Sequence, residues 1–263
     1  MIGQYVKAWL ELGRISNLPT VWSNVVHGLS VGWFVSVLDP QRLMFGYVEP
    51  IGWLDLGWLL NQAFLLLVGM SLLYTAGMVL NDACDVSIDQ QERPERPIPS
   101  GRITRREAFV GAVVMLGLGW GCTLVYPPAV SLWAGVLVVA IVGYNLLHRW
   151  RWAGLVLMPT CRGLVIFLSA SAFTAGVGID ADLPRVLGSV LAIGCYTLII
   201  TLIAWGEALP SMGKLARWVG VMIAGMALID AGFVLLLGLW PIAVLCVGCG
   251  AAAFFGQRWI RGS

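Results

Sequence analysis

The sequence predicts an all-α polytopic membrane protein, a bundle of eight transmembrane helices forming one domain over residues 1–263. Three observations carry that expectation. Hydrophobic residues make up 59% of the chain and charged residues only 11%, whereas soluble proteins carry about 25% charged residues. Apolar runs of about 20 residues recur, the length needed to cross a hydrocarbon core of about 30 Å. Thirteen of the sixteen basic residues fall in the N-terminal lead-in, in the loops after the second, fourth and sixth runs, and in the C-terminal tail. That alternation is what the positive-inside rule produces. It puts both termini and the loop after the second span on the cytoplasmic side of a membrane of the bacterial inner type.

Residues 1–16 read as an amphipathic lead-in carrying Lys7, Glu11 and Arg14, with Trp9 suited to the interface. No cleavable signal is expected there, because no basic stretch leads into an apolar core and a cleavage site. The first span, residues 18–38, opens on Asn17 and contains Asn24 and His27. These lie at i, i+7 and i+10, offsets that share one helical face. Two readings stand: hydrogen bonding between helices, or the polar wall of a substrate cavity. Pro40 and Pro50 mark a loop, and the second span, residues 56–80, delivers the chain to Asn81 with Tyr74 near its end. Thr104-Arg-Arg-Glu107 fits a capping box entering the third span, residues 108–126. After the Pro127-Pro128 turn the fourth span runs to Leu147, and His148-Arg-Trp-Arg-Trp152 is a basic, aromatic interfacial loop. The fifth span, residues 153–176, contains Pro159 and Arg162; the sixth covers 186–205, the seventh 219–238 with Asp230, and the eighth 242–255. Charges inside a span are costly and usually face the bundle interior. Arg162 and Asp230 therefore either pair across the bundle or line a cavity.

Between the second and third spans lies the one strongly charged stretch, NDACDVSIDQQERPERPIPSGRIT, from Asn81 to Thr104. It holds five of the fourteen acidic residues and three of the sixteen basic ones. Read with a helical period, Asp82, Asp85 and Asp89 share a face, where they repel one another unless a cation or hydrogen-bond donors compensate. Arg93 and Arg96 follow in a segment whose prolines, Pro94, Pro97 and Pro99, exclude a continuous helix. Carboxylates that hold Mg²⁺, beside guanidiniums that hold phosphate oxygens, make a diphosphate site.

The run N-D-x-x-D-x-x-x-D, followed by E-R-P-E-R-P-I-P-S-G-R-I, resembles the first aspartate-rich motif of the UbiA family of intramembrane prenyltransferases. Its R-P-E-R-P-I-P-S-G portion is similar to the EboC-like branch. The resemblance extends from about Arg14, with Asn17-Leu-Pro-Thr20 similar to the family's first-helix pattern, to the C-terminus. It implies eight or nine spans around a lateral cavity with a cytoplasmic polar mouth. It also implies Mg²⁺-dependent transfer of an isoprenyl group from an isoprenyl diphosphate to an aromatic or other small lipophilic acceptor. On that reading Asp82, Asp85 and Asp89 are the metal ligands and, with Glu207, the catalytic acids. Asn81, Arg93, Arg96, His148, Arg149 and Lys214 bind diphosphate, and Asn17, Asn24, Tyr144 and Arg162 wall the cavity. The chain departs from the family in two places. His148 stands where the family's Y-x-x-x-K has lysine, with Arg149 beside it. Ala204-Trp-Gly-Glu-Ala-Leu-Pro210 replaces the second aspartate motif and offers one acid, Glu207. The alternative is accordingly a non-catalytic isoprenoid or lipid carrier on the same fold.

The six cysteines lie in or beside apolar runs, so no disulfides are expected. Cys246 and Cys249, in C-V-G-C, read as small residues at a helix contact. The sequence has no basic stripe for nucleic acid, Walker-type loop, H-E-x-x-H or nucleophile elbow, which leaves the lipid bilayer and lipophilic small molecules as partners.

Overall fold

The computed structural model describes residues 2–37, 53–147, 150–174, 183–205 and 218–260. Among these are ten α-helices and no strand: α1 (Ile2–Leu12), α2 (Leu18–Val37), α3 (Trp53–Cys84), α4 (Val86–Glu92), α5 (Arg105–Gly121), α6 (Pro128–Leu147), α7 (Arg151–Thr174), α8 (Leu183–Trp205), α9 (Val219–Leu236) and α10 (Trp240–Gly256). Each of the eight expected spans falls on a helix. By length and hydropathy, however, five can cross a membrane, namely α3, α6, α7, α8 and α9, while α10 is apolar but shorter. Leucines and valines such as Val113, Leu132, Val139 and Leu191 point outward, at 51%, 65%, 70% and 63% exposure. An apolar outer surface of that kind belongs in lipid.

Two helix boundaries differ from expectation for local reasons. The helix of the second span, α3, does not stop at Leu80 but runs to Cys84, so Asn81 and Asp82 are helical and keep the register of the span below them. The helix of the third span, α5, stops at Gly121 rather than Tyr126. There the Thr123 hydroxyl donates to the Trp120 carbonyl at 2.6 Å, competing with the helical ladder just before Pro127. Its start is as expected. The Thr104 hydroxyl accepts from the Glu107 backbone N–H at 3.2 Å, and the Glu107 carboxylate accepts from the Thr104 N–H at 2.8 Å.

This capping box carries a pH dependence. Hydrogen bonds from the Thr104 hydroxyl and backbone hold the exposed Glu107 carboxyl below its ordinary value of 4.5. A folded-state value below the unfolded one means that the contribution is complete above the unfolded value and is lost as pH falls through the folded one. Amide exchange at Thr104 and Glu107 is therefore expected to be slower in the wild type than in Glu107→Ala near neutral pH. The difference should shrink as the pH falls below 4.5 and through the depressed folded value; a difference that persists in strong acid would show that the carboxylate is not the cap.

Helix α2 is the centre of the bundle. It packs against α3, α7, α8, α9 and α10, and few of its side chains reach the surface. The closest approach is to α7. A Cβ on Gly28 would lie 2.5 Å from the Ile166 carbonyl oxygen, and one on Gly32 would meet the Ala170 backbone. Gly28 and Gly32 form a small-xxx-small stripe that lets the two backbones touch, the packing device available where water supplies no hydrophobic drive. Gly32→Leu is expected to cost about 1–3 kcal/mol through overpacking, measured as a fall in thermal or denaturant stability in detergent. Unchanged stability would show that α2 and α7 do not meet there.

The charged stretch has its own small core. Ile98 and Ile103, 8% and 1% exposed, fold onto Ala8 and Leu12 of α1, Leu80 and Ala83 of α3 and Ala108 of α5. Arg102 straps the loop down by donating to Glu11 Oε2 at 2.7 Å and to the Glu95 carbonyl at 2.8 Å. Gly101 turns the chain at a φ of 75°, in the left-handed region that favours glycine. The S-G of the motif is thus a turn requirement.

Candidate active site

The site is assembled from the C-terminal end of α3, the short helix α4 and the loop that follows. A bend at Asp85 separates α3 from α4, yet the backbone ladder nearly continues, with the Asp85 N–H on the Asn81 carbonyl at 3.0 Å and the Asp89 N–H on the Asp85 carbonyl at 2.9 Å. Asp82 and Asp89 consequently stay on one side, and each is only 5% exposed. Both accept from the same nitrogen. Arg96 Nη1 lies 3.4 Å from Asp82 Oδ1 and 2.8 Å from Asp89 Oδ2. Asp85 is half-buried and takes the Asn81 amide at 3.3 Å. Arg93 is exposed, and its backbone N–H closes α4 on the Asp89 carbonyl at 2.9 Å.

Asp82 has a second guanidinium partner to which the sequence reading assigns no role. Arg14 Nη2 donates to Asp82 Oδ1 at 3.3 Å across 68 residues. Its backbone sits at φ 46°, ψ 47°, the only non-glycine positive φ among the described residues. Left-handed geometry in an arginine is costly and persists where the surroundings dictate it. Here the strained residue joins the carboxylates to the cavity behind them. The available signal was its place just before Asn17-Leu-Pro-Thr20; its partner is too distant in sequence to read by spacing.

That cavity, about 170 Å³ in volume, lies inside the bundle. Its wall is mainly aliphatic, with polar points at Arg14, Asn17, Tyr74, Tyr144, Asn145 and Arg162. Three of the four expected cavity residues, Asn17, Tyr144 and Arg162, are on the wall. Asn24 is not. Its amide is used one layer behind, where Asn24 Oδ1 accepts from Arg162 Nη1 at 3.0 Å and Asn24 Nδ2 donates to Asp230 Oδ2 at 2.8 Å. Arg162 and Asp230 are thus joined through an amide rather than paired directly. Asp230 is fully buried, and its carboxylate also accepts from the Ser23 hydroxyl at 2.6 Å and faces His27 Nδ1 at 2.8 Å. His27 Nε2 lies 3.1 Å from Ser189 Oγ, and the ring stacks on Phe233 with centroids 5.2 Å apart. The polar stripe formed by Asn17 and the residues of α2 therefore divides. Asn17 serves the cavity, while Asn24 and His27 serve contacts between helices. Glu207, Lys214, His148 and Arg149 lie outside the described residues. Cys246 packs fully buried against Ala231, Val234 and Ala243, as a small residue at a helix contact.

The arrangement suits a cation followed by an anion. No group of three metal-ligating side chains gathers among the described residues. Two buried carboxylates do converge on one point, and the Arg96 nitrogen there is itself a stand-in cation. Carboxylate oxygens are the ligands that Mg²⁺ takes, typically one or two carboxylates with waters and phosphate oxygens completing the shell. The donor set at Asp82 and Asp89 fits that ion. Arg14 and Arg96 stand beside it with the forked donors that phosphate oxygens take.

The chain is 33% identical over 148 residues to a digeranylgeranylglyceryl phosphate synthase of Methanoregula boonei, covering 55% of this chain and 50% of that protein. It is 29% identical over 147 residues to a 4-hydroxybenzoate octaprenyltransferase of Serratia proteamaculans, covering 55% and 46%. The matched part thus spans about half the length of these relatives. The fold is shared with a UbiA homolog from Archaeoglobus fulgidus solved with DMAPP and Mg²⁺, at a TM-score of 0.56 and 14% identity over 95% of this chain and 99% of that one. Residues 47–262 match the UbiA prenyltransferase family as a whole, and with most of its length so matched the chain belongs to that family.

Proposed function

We propose that this chain, acting as a single domain over residues 1–263, transfers an isoprenyl group from an isoprenyl diphosphate to a small lipophilic acceptor, aromatic or otherwise, within the membrane. The observation that carries the reading is the convergence of buried Asp82 and Asp89 on one cationic position, linked through Arg14 to an apolar cavity. Asp82, Asp85 and Asp89 would hold Mg²⁺, which supplies neutralisation of the diphosphate leaving group. Arg96 and Arg14 would then turn their N–H groups to phosphate oxygens, with Asn81 and Arg93 at the rim. The allylic carbon–oxygen bond breaks, its electron pair leaving with diphosphate. A bond forms to the acceptor nucleophile, which gives up a proton. The cavity keeps water from the developing allylic cation, and the Tyr144 ring on its wall offers a π face to it. Glu207 and Lys214 of the second motif, and His148 and Arg149, would complete the diphosphate contacts. The termini and the aspartate loop are placed on the cytoplasmic side by the distribution of basic residues.

The alternative, a non-catalytic isoprenoid carrier, draws on the single acid of the second motif and on the neutralisation of Asp82 and Asp89 by Arg96. The two readings separate in one assay. Purified protein is incubated with geranyl diphosphate, Mg²⁺ and candidate acceptors, and inorganic diphosphate is measured. A transferase releases it in step with prenylated product; a carrier binds geranyl diphosphate and releases none.

A further inference from the structure

Helix α1 carries more apolar surface than the protein covers. Ala8 and Leu12 are fully buried, against Leu80 and Ala83 of α3 and Ala108 and Ala112 of α5. Val6 and Leu10, one turn apart and further round the helix, are 50% and 37% exposed. Gln4, Lys7 and Glu11, at i, i+3 and i+7, share the remaining side. The two charged residues there, Lys7 and Glu11, are opposite in sign and 3.9 Å apart. The helix lies against the outer edge of α5. The Trp9 ring packs on Gly111, where a Cβ would come within 2.7 Å of it, and the Tyr5 hydroxyl donates to Glu107 Oε1 at 3.5 Å. Beside that edge Phe109, Val110 and Val113 are exposed, part of the apolar outer surface that lipid covers. A helix with an apolar arc, no net charge of its own and a bilayer at its flank lies in the interface plane, held by apolar insertion rather than by headgroup charge.

There is no slack between α1 and the aspartates. Only Gly13 and Arg14 separate it from the turn Ile15–Asn17. Gly13 is pressed onto α3, where a Cβ would lie 2.8 Å from the Thr75 methyl. The Arg14 N–H donates to the Glu11 carbonyl at 3.1 Å, and the Asn17 N–H to the Arg14 carbonyl at 3.0 Å. The left-handed Arg14 is thus clamped between α1 and the turn, and a strained residue keeps its conformation only while its surroundings hold. We propose that α1 docks on the bilayer interface through Val6 and Leu10 and thereby holds Arg14 on Asp82, so that the site responds to how loosely the surrounding lipid packs. Loosely packed lipid opens gaps between headgroups that take in the two side chains. Tightly packed lipid excludes them, α1 frays, and Arg14 relaxes to ordinary right-handed geometry, away from Asp82. The consequence for diphosphate binding rests on the prenyltransferase reading; the docking and its hold on Arg14 do not.

The test uses full-length protein in nanodiscs of dioleoyl phosphatidylcholine, which packs loosely, and of dimyristoyl phosphatidylcholine above its melting temperature, which packs more tightly. A third set replaces part of the dioleoyl phosphatidylcholine with dioleoyl phosphatidylglycerol. Hydrogen exchange is read at residues 6–12 and 13–17, and the affinity for geranyl diphosphate with Mg²⁺ is measured in the same discs. In the wild type both segments should exchange about threefold or more slowly in the dioleoyl lipid, geranyl diphosphate should bind tighter there, and phosphatidylglycerol should change either by less than about twofold. Val6→Gln/Leu10→Gln removes only exposed apolar surface. It should exchange fast in every lipid and bind geranyl diphosphate up to about tenfold more weakly, the loss of one charge-assisted hydrogen bond. Arg14→Gln should keep the lipid response at residues 6–12 while the affinity for geranyl diphosphate no longer follows the lipid. An effect of bilayer thickness on the whole bundle would survive both substitutions. If the glutamine pair does not fold, Leu10→Trp decides: the stronger interfacial anchor should raise protection in dimyristoyl lipid to its level in dioleoyl lipid. Equal exchange in the two phosphatidylcholines, a larger response to phosphatidylglycerol than to packing, binding that ignores the lipid, or a lipid-dependent affinity that persists in either glutamine variant overturns the proposal. Failure of the prenyltransferase reading looks different: exchange at residues 13–17 follows the lipid, yet geranyl diphosphate binds in none of the discs.

Discussion

Asp82→Asn is expected to lower prenyl transfer from geranyl diphosphate on the order of 10²- to 10³-fold, as loss of a preorganised electrostatic group at a reacting centre does. The substitution keeps the shape of the side chain and an oxygen toward Arg14 and Arg96, so it removes little but charge. Asp89 would still hold Arg96 through contacts of 2.9 and 2.8 Å, and the fold of the loop should survive. The lost charge matters because Asp82 is the carboxylate common to both guanidiniums and is nearly sealed from water, at 5% exposure. With only Asp89 left beside it, Arg96 retains a partner but the shared cation position loses half its anionic charge. Asp89→Asn should have a comparable effect. Asp85→Asn should cost less, since Asp85 is half-buried and turned to Asn81. Released inorganic diphosphate, read with thermal stability in the same detergent, checks the ordering. Wild-type release by well-folded Asp82→Asn protein would remove the aspartates from the chemistry.

Much of this site was legible in the sequence because it is local. The spacing of Asp82 and Asp89, the prolines that end α4's continuation, the Thr104–Glu107 cap and the glycine of the S-G turn all act within one or two turns of chain. Local chemistry of that kind leaves a pattern in the residues themselves. The parts that escaped notice depend on contacts between distant helices. Arg14 reaches Asp82 only because α1 and the turn after it fold under the aspartate loop, onto Ile98 and Ile103. The Gly28–Gly32 stripe shows its purpose only once Ile166 and Ala170 are known to face it. Asn24 was expected on the cavity wall because its offset from Asn17 matches one helical face. A helix buried on every side has no single inner face, and α2 spends that polar stripe on two different neighbours.

The most damaging single change to the fold should be Asp230→Ala, with a loss of about 3–5 kcal/mol, the cost of removing one partner from a buried charged cluster. An ordinary hydrogen bond between membrane helices contributes only about 0.6 kcal/mol, because the separated helices find other partners. Three such bonds, from Ser23, Asn24 and His27, would by themselves account for about 2 kcal/mol. The remainder comes from what stays behind. His27 Nδ1 faces the carboxyl oxygen at 2.8 Å, a contact that fixes the ring in place. Without that oxygen the His27 ring and the Asn24 amide are sealed inside the bundle facing no acceptor, while the Ser23 hydroxyl keeps the Thr20 carbonyl at 3.0 Å; Ser23, Asn24 and His27 are each 0% exposed. Arg162 loses its compensating charge in the same step. Asp230→Asn keeps one acceptor oxygen and the volume, and should lose roughly half as much. The comparison also separates packing from polarity. A cavity effect alone would follow side-chain volume, making Asp230→Leu the mildest of the three, whereas unsatisfied donors make it as harmful as alanine or worse. Denaturant unfolding in detergent would decide. A loss under about 1 kcal/mol for Asp230→Ala would mean that the four α2 and α7 partners find equal alternatives within the bundle, and that the carboxylate does not hold α9 to α2.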